Sequence, residues 1–253
     1  MKMFSRSLAA TILALATFAQ ALADGDSKNI RVALFEDEGA FGLGIPRITE
    51  QLGKIRDIKV TKVSGKEIAA GTLKDFDVVI FSGGSGSKES AAIGDAGREE
   101  VRRFVREGGG YVGICAGAYL ACTGFSWGVG VLNAKTVSSK WLRGKGDVDI
   151  EVTPLGKETT GLLAQKHVIR YANGPIIKPD TRDGIAPFET LAFFRTELAE
   201  HDSPKGVMID SPAIVRGAFG KGRVISSSPH PEQTGGMEDF TEHAVRWVAA
   251  VRK

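Results

Sequence analysis

The residues best placed for nucleophilic chemistry lie around Cys115, within the sequence Gly113-Ile114-Cys115-Ala116-Gly117. This G-x-C-x-G pattern stands between an apolar run typical of a strand and a segment typical of a helix, which is the form of a nucleophile elbow with a thiol as the nucleophile. Such a turn is sharp, so glycine is needed on both sides to avoid a collision of Cβ atoms. The amides that open the helix would favour the thiolate. A buried structural cysteine after a glycine-rich strand is the alternative interpretation.

The histidine expected to act as a base for this thiol is His230, in the sequence Ser228-Pro229-His230-Pro231-Glu232. It follows a predicted strand, and two prolines stiffen the loop. Glu232 is expected to orient the imidazole or stabilise its cation, which is the arrangement that nucleophilic catalysis needs. Of the remaining histidines, His167 is assigned to the start of a strand, His201 to a polar turn and His243 to the last helix. No cluster has the spacing of metal ligands, so no metal site is predicted.

A glycine-rich segment over residues 82–87, Ser-Gly-Gly-Ser-Gly-Ser, directly follows another apolar run. Bare amides at the end of a strand can bind an anion, but the segment lacks the Lys-Ser/Thr pair and the glycine spacing of phosphate-binding loops. The preferred interpretation is an oxyanion hole, in which the amide of Gly83 or Gly84 acts together with that of Ala116. A plain connecting turn is the alternative.

The elements that must position these residues alternate between strand and helix in the first half of the chain. Strands are predicted over residues 30–35, 58–63, 76–81, 111–114 and 224–227, and helices or helical turns over residues 42–53, 66–72, 95–107, 116–122 and 237–251. Alternation of this kind predicts a parallel sheet with helices on both faces. After Gly124 the pattern changes to strands joined by glycine- and proline-rich turns, over residues 148–152, 167–171, 191–196 and 213–219. These are interpreted as antiparallel additions and loops over the sheet.

The first 23 residues have the three-part layout of a secretory signal peptide. Lys2 and Arg6 begin the segment, an uncharged apolar run follows, and Ala21-Leu22-Ala23 fits the cleavage site. An uncleaved N-terminal anchor is the alternative, although the run is short for a membrane span and no later segment is long and apolar enough for one. The protein is therefore expected to be periplasmic or secreted, with residues 24–253 forming a single domain.

Charge and cysteine content argue against nucleic-acid binding and against a disulfide framework. Cleavage after Ala23 would reduce the net charge from +3 to about +1, and so balanced a surface gives no argument for nucleic acid as a partner. The two cysteines, Cys115 and Cys122, lie seven residues apart in a segment predicted to be elbow and helix. Seven helical residues rise roughly 10 Å, beyond the reach of a disulfide, so both thiols are expected to be free.

The strand followed by a Gly-Gly loop, the G-x-C-x-G elbow and the late His-Pro-Glu occur in this order in class I glutamine amidotransferases, which the chain resembles over most of its length. Within that superfamily, three stretches are more similar to the N-terminal domain of eukaryotic-type biotin–protein ligases and its stand-alone bacterial relatives: residues 108–122, 171–175 and 212–232. The resemblance implies a flavodoxin-like α/β fold and a triad of Cys115, His230 and Glu232. In amidotransferases such a triad releases ammonia from glutamine through a thioester. Nothing in the sequence resembles the catalytic domain of the ligases, so biotinylation is not implied.

One position departs from the amidotransferase pattern. Those enzymes usually carry, four residues after the nucleophile, a glutamine that helps to hold the substrate, whereas this chain has Tyr119. Recognition of glutamine is therefore not implied. A second similarity is to deglycase and intracellular protease-like thiol proteins, which use a glutamate after the first strand, where Glu36 or Glu38 could stand. Many of those proteins carry histidine directly after the cysteine, where this chain has Ala116.

Three functions remain open on these grounds. The first is a thiol-dependent amidase or hydrolase that needs no cofactor and acts on an amide or related acyl bond of a small-molecule or peptide-like substrate. The second is a ligand-binding module without turnover, whose pocket is shaped by residues 173–182 with Trp127 and Trp141. The third is a redox or deglycase-like thiol protein. The oligomeric state is left open.

Overall fold

The structure, a computed structural model that describes residues 29–251, is built around one nine-stranded sheet. The predicted signal peptide lies outside the described residues. The strands are β1 (Ile30–Phe35), β2 (Ile58–Val63), β3 (Val78–Phe81), β4 (Gly110–Ile114), β5 (Ala134–Thr136), β6 (Lys145–Val152), β7 (Lys166–Ala172), β8 (Ile177–Pro179), β9 (Glu189–Phe194), β10 (Pro212–Phe219) and β11 (Gly222–Ser227). The sheet has the order β2-β1-β3-β4-β11-β10-β9-β6-β7, and β5 pairs with β8 apart from it.

The first five strands of this order run parallel, as predicted. Strand β3 is buried along its whole length and β1 over its last four residues, which is typical of parallel strands covered on both faces. Alternate side chains of β1 enter two core clusters, Val32 and Leu34 one cluster and Ala33 and Phe35 the other. The predicted α/β class is confirmed, and the order β2-β1-β3-β4 is that of flavodoxin-like sheets.

The C-terminal half adds antiparallel strands, as predicted, and they continue the sheet at its edge. Strand β11 returns to lie parallel to β4, and β10, β9, β6 and β7 then follow in antiparallel pairs. The register of β6 and β7 places Lys145 opposite Ala172, and Asp147 opposite Arg170. The small β5–β8 ribbon is not among the predicted strands.

The helices of the described residues are α1 (Gly44–Gly53), α2 (Gly65–Ala69), α3 (Gly86–Arg106), α4 (Ala116–Ala121), α5 (Pro154–Thr160) and α6 (Phe240–Ala249), with 3₁₀ turns at Thr72–Asp75 and Pro231–Gln233. Helix α1 keeps Pro46 near its start, where the missing amide hydrogen costs nothing. Within residues 29–251, none of these helices is both long and apolar enough to cross a membrane.

Helix α3 begins well before the predicted residue 95, at Gly86, and it is kinked at Gly94, whose φ is 64°. The glycine-rich segment therefore ends inside a helix. The predicted start was too late because glycine usually indicates a loop. Packing gives the physical reason for glycine at the helix start. A Cβ on Gly86 would lie 2.9 Å from the carbonyl oxygen of Ala116, so only glycine lets this helix approach the elbow.

Candidate active site

Cys115 occupies a strained turn between β4 and α4. Its φ of 52° lies in the left-handed region that residues other than glycine rarely adopt. A Cβ on Gly113 would lie 2.5 Å from the Gly117 carbonyl oxygen, and one on Gly117 would lie 2.2 Å from that of Phe81. The amide of Cys115 donates to the carbonyl oxygen of Ser227 (2.8 Å), which ties the turn to β11. The thiol is thus held at the carboxyl ends of the parallel strands, where open α/β sheets bind ligands.

His230 and Glu232 follow β11 at the same edge of the sheet and are 4% and 1% exposed. Nδ1 of His230 lies 2.8 Å from Oε1 of Glu232. A carboxylate only accepts hydrogen bonds, so Nδ1 carries the hydrogen and Nε2 is left for a second group. The backbone amide of His230 donates to the carbonyl oxygen of Arg170 (2.8 Å), which fastens the loop to β7.

Gln233, which sequence analysis missed, completes this buried pair. Its Nε2 lies 2.9 Å from Oε1 of Glu232 and 3.0 Å from Nδ1 of His230. Because Nδ1 already donates to Glu232, the amide of Gln233 also donates to the carboxylate. Gln51 of α1 donates to the Glu232 carbonyl oxygen (3.0 Å) and accepts from Thr241 of α6 (3.0 Å). The spacing of three residues between the histidine and the glutamine, one turn of a 3₁₀ helix, was the available sequence signal.

The surroundings of His230 favour its protonated form. Burial lowers the pKa of the imidazole, but hydrogen bonding with Cys115 and with Glu232, and the negative charge of both, outweigh burial and raise that pKa to about 10. The site is therefore suited to an imidazolium at His230. In its neutral form the Cys115 thiol donates to the carbonyl oxygen of Ala172 (3.4 Å), so β7 also contacts the nucleophile.

The predicted oxyanion donors lie beside these groups. Within residues 29–251, no group accepts a hydrogen bond from the backbone amides of Gly83, Gly84 or Ala116. A Cβ on Gly83 would lie 2.8 Å from Cε1 of His230, so the imidazole packs directly against this loop. A Cβ on Gly84 would lie 2.0 Å from the Gly39 carbonyl oxygen. Gly83 and Gly84 line the same cavity as Cys115. Their role as oxyanion donors stays a prediction.

A cavity of about 720 Å³ opens onto this edge of the sheet. Five of the seven residues predicted for the site line it: Gly83, Gly84, Cys115, Tyr119 and His230. Glu232 lies behind His230, and Ala116 can contribute only its backbone. Trp127 and Trp141 also line the cavity, whereas of residues 173–182 only Asn173 does.

Tyr119 does not occupy the role that a glutamine would have at its position. Its hydroxyl donates to the carbonyl oxygen of Asn173 (3.1 Å). Asn173 itself has a positive φ of 57°. The side-chain oxygen of Asn173 in turn accepts from the amide of Gly144 (2.8 Å). Tyr119 therefore holds the loop after β7 against helix α4, and its ring forms part of the cavity wall.

The remaining candidates lie elsewhere. Both thiols are free, as predicted, and Cys122 is fully buried with its pKa raised by burial to about 12. Glu36 is exposed and pairs with Lys62 (2.8 Å), and neither Glu36 nor Glu38 lines the cavity. The other histidines are also outside it: His167, His201 and His243. In the part of the chain that the structure describes, no three His, Cys, Asp or Glu side chains are grouped to hold a metal ion.

Two basic residues that line the cavity were also missed by sequence analysis. Lys145 begins β6 and Arg170 lies in β7, and both line the cavity. Both are exposed residues of strands, where lysine and arginine are common, so nothing in the local sequence distinguishes them from other surface cations. The register of β6 against β7, and the bond from the His230 amide to the Arg170 carbonyl, bring them to the cavity that Cys115 lines.

Known proteins resemble this chain in sequence and in fold. Residues 32–145 match the family described as biotin-protein ligase, N terminal. A protein of Chlamydia muridarum, itself described as uncharacterized, is 26% identical over 219 residues, which cover 76% of this chain and 76% of that one. Among solved structures, a glutamine amidotransferase is 21% identical with a TM-score of 0.61, covering 87% of this chain and 98% of its own. PurLQS from Thermotoga maritima is 16% identical with a TM-score of 0.60, covering 89% and 100%.

These matches confirm the predicted resemblance and the fold class. The family match ends at residue 145, so it includes the nucleophile elbow and the glycine-rich loop but not His230 or Glu232. The chemical role of the histidine and the glutamate therefore rests on their geometry in this chain.

Proposed function

We propose that this protein is an exported, thiol-dependent amidase. It acts on an amide or related acyl bond of a small substrate. The fold is similar to that of a glutamine amidotransferase, and residues 32–145 of the chain match the biotin–protein ligase N-terminal family. The observation that carries the proposal is the convergence of Cys115, in its strained turn, with the buried His230–Glu232 pair at one cavity. Such a set is the nucleophile, base and orienting carboxylate of covalent catalysis.

The steps of the reaction follow from these groups. His230 takes the proton of Cys115 through Nε2, and the sulfur attacks the carbonyl carbon of the substrate. The carbon–nitrogen bond then breaks, and the leaving nitrogen takes the proton from the imidazolium. Water, deprotonated by His230, attacks the thioester, and the carbon–sulfur bond breaks to restore the thiol. Glu232 holds the imidazole in the required tautomer and stabilises its cation throughout.

The free amides of the glycine-rich loop and of the elbow support this chemistry. When the sulfur attacks, negative charge develops on the carbonyl oxygen. The amides of Gly84 and Ala116, with that of Gly83, are the donors available to that oxygen. Preorganised donors of this kind contribute about 10²- to 10³-fold each in acyl-transfer enzymes.

A second candidate is a ligand-binding module that does not turn over its ligand. The hydrogen bond from the thiol to the Ala172 carbonyl favours it, because that bond holds the proton on the sulfur and directs it away from the base. The two candidates differ in whether the histidine activates the thiol. Chemical modification of the thiol separates them without knowledge of the substrate.

The test is the pH dependence of alkylation by iodoacetamide between about pH 5 and 9, measured in a Cys122→Ser background so that one thiol remains. Cys115 is expected to react at neutral pH faster than an ordinary thiol, whose pKa is about 8.5. His230→Ala is expected to slow the neutral reaction about tenfold or more. His167→Ala, which removes an imidazole outside the cavity, is the matched control and is expected to react like the parent protein.

If Cys115 reacts like an ordinary thiol, or if His230→Ala reacts as fast as its parent, the hydrolase proposal is wrong and the binding module takes its place. If the histidine dependence is found, ammonia release from carboxamides is measured next. Loss of that release in Cys115→Ser then identifies the thiol as the nucleophile.

Export is proposed separately, from the three-part pattern of residues 1–23. The mature chain is expected to begin at Asp24, which N-terminal sequencing of the protein from the extracytoplasmic fraction would reveal. Recovery of the full chain from the cytoplasm would contradict it.

A further inference from the structure

The cavity beside Cys115 is larger than a free amino acid requires. Its volume of about 720 Å³ lies within the range of about 300–1,000 Å³ that accommodates drug-sized ligands. Apart from the glycine-rich loop, the elbow with α4 and the His230 loop, its walls come from the loop after β1, the segment after α4, and the strands β6 and β7. The groups that would react with an amide occupy only one side of this space.

One wall of the cavity is aromatic and apolar. Phe125 and Trp127 stack on one another with their ring centroids 4.5 Å apart and their planes at 24°, and Tyr119 lies against Phe125 (5.9 Å). Half of the large hydrophobic side chains that are exposed within residues 29–251 border this one cavity: Phe41, Leu43, Trp141 and Leu142. Apolar surface concentrated at one opening marks a binding site for an apolar group.

A second part of the lining is positively charged. Lys145 and Arg170 line it, and neither has an ion-pair partner among residues 29–251. Among residues 29–251, no aspartate or glutamate lines the cavity. Asp147 lies opposite Arg170 in the register of β6 and β7, but it remains outside the cavity and beyond ion-pair distance. An anionic group on the ligand is the complement of two unpaired cations.

The same distribution of charge disfavours free glutamine. The α-ammonium group of an amino acid needs acceptors, which a carboxylate usually supplies, and here the cavity presents two cations instead. Blocking the amine with an apolar acyl group removes the unfavourable charge and supplies a group for the aromatic wall.

On the basis of the proposed amidase function, we infer the substrate class of this site. It is a small amide that carries an anionic group and a flat apolar group and has no free ammonium. The carboxamide is presented to Cys115, the anionic group to Lys145 and Arg170, and the apolar group to Trp127 and Trp141. Hydrolysis consumes one water and yields the carboxylate and ammonium, because the released ammonia takes up the proton of the new carboxylic acid.

Binding is tested in Cys115→Ser, which cannot form the thioester, by calorimetry with four probes. N-benzyloxycarbonyl-glutamine has the carboxamide, the aromatic group and the carboxylate, and it is expected to bind about tenfold or more tightly than glutamine. N-acetylglutamine lacks the aromatic group, and the methyl ester of N-benzyloxycarbonyl-glutamine lacks the anionic charge. Both are expected to bind with intermediate affinity. Glutamine binding as tightly as the blocked acid, or the ester as tightly as the acid, would overturn the inference.

Substitutions test which part of the ligand each group of lining residues binds. In the Cys115→Ser protein, Lys145→Gln and Arg170→Gln are each expected to weaken binding of the acid about three- to fivefold and to leave binding of the ester unchanged. Trp141→Ala, at an exposed position, is expected to weaken both. Lys59→Gln, an equal loss of charge on the distant strand β2, is the control and should change neither. Equal effects of Lys59→Gln and Arg170→Gln on the acid would refute the inferred cationic wall.

Turnover distinguishes this inference from the proposed function. Ammonia release from N-benzyloxycarbonyl-glutamine by the wild-type protein, exceeding that from glutamine, supports both. Selective binding without ammonia release, together with an unactivated thiol, contradicts the amidase but retains the ligand class. Release from glutamine in preference to the blocked acid supports the amidase and refutes the substrate class.

Discussion

The two halves of the central sheet contribute differently to the candidate site. The parallel half, β1 to β4 with β11, carries the groups with chemical reactivity at its carboxyl ends: Cys115 after β4, Gly84 after β3 and His230 after β11. The antiparallel strands β6 and β7 contribute Lys145, Arg170 and the Ala172 carbonyl. Cys115 and His230 are buried, and Cys115 lies in a strained turn, whereas Lys145 and Arg170 are exposed and lie in regular strands. In the proposed amidase, reactivity and ligand selection would therefore be carried by separate elements, and substitutions should affect one without the other.

The largest expected effect is the loss of the elbow in Gly117→Ala. Alanine favours a helix by about 1 kcal/mol over glycine, which by itself would stabilise α4. The new Cβ would, however, lie 2.2 Å from the Phe81 carbonyl oxygen, a backbone atom that cannot move without displacing β3. The free energy of unfolding is expected to fall by about 3 kcal/mol in urea denaturation.

Gly53→Ala provides the matched control, because a Cβ at this exposed helical position meets nothing within 4 Å. It should leave the free energy of unfolding unchanged or raise it slightly. Similar losses in both variants would mean that the elbow is not the rigid element of the parallel half.

Glu89→Gln tests how much the burial of a carboxyl group destabilises the parallel half. Glu89 of α3 is fully buried near Tyr111, no described group donates to its carboxylate oxygens, and burial raises its pKa to about 8. Between the ordinary value of 4.5 and about 8, the folded chain binds more protons than the unfolded chain. The stability present below pH 4.5 is therefore lost progressively as the pH rises to about 8.

In the glutamine variant, the free energy of unfolding should not show this fall with rising pH. At neutral pH the variant should be more stable than wild type by roughly 2 to 3 kcal/mol. The measurement is urea denaturation at intervals across that pH range. Glu158→Gln on the exposed face of α5 serves as the control, and it should retain the wild-type slope. A slope unchanged by Glu89→Gln would show that another group determines the pH dependence.

Much of the parallel half could be predicted because its sequence is locally unambiguous. The strands β1 and β2 begin and end at the predicted residues, since apolar and alternating runs between turn residues specify both ends. The G-x-C-x-G pattern likewise identified a turn at Cys115, because only glycine fits on either side of it. Local backbone sterics were sufficient in these cases.

The rest depends on contacts between segments that are distant in sequence. The start of α3 at Gly86 is determined by its approach to Ala116, which no local pattern shows. Arg170 reaches the cavity through the amide of His230, sixty residues later in the chain. Exposed basic residues in alternating strands carry no signal of their own until the register is known.

Gly83→Ala tests whether reactivity belongs to the parallel half. The added Cβ would lie 2.8 Å from Cε1 of His230 and would push the imidazole away from the thiol. In the Cys122→Ser background, alkylation of Cys115 at neutral pH is expected to slow about tenfold, as in His230→Ala. Gly235→Ala, where a Cβ meets nothing within 4 Å, should react like its parent. Parent-like alkylation in Gly83→Ala would show that the imidazole does not depend on this loop.

The smallest expected effect concerns one of the hydrogen bonds between the two halves. Tyr119 of α4 donates to the Asn173 carbonyl (3.1 Å), whereas Tyr171 of β7 donates to the Gly174 carbonyl (2.7 Å) within its own half. Tyr119→Phe and Tyr171→Phe each remove one hydrogen bond, so each should lower the free energy of unfolding by about 1 kcal/mol. Tyr119→Phe releases the loop after β7 from helix α4, whereas Tyr171→Phe leaves that contact in place. Only Tyr119→Phe should therefore weaken N-benzyloxycarbonyl-glutamine binding, by a few-fold, while alkylation of Cys115 stays at its parental rate. If Tyr119→Phe slowed alkylation as much as Gly83→Ala does, the two halves could not be treated as separate contributors, because ligand selection and thiol activation would share one support.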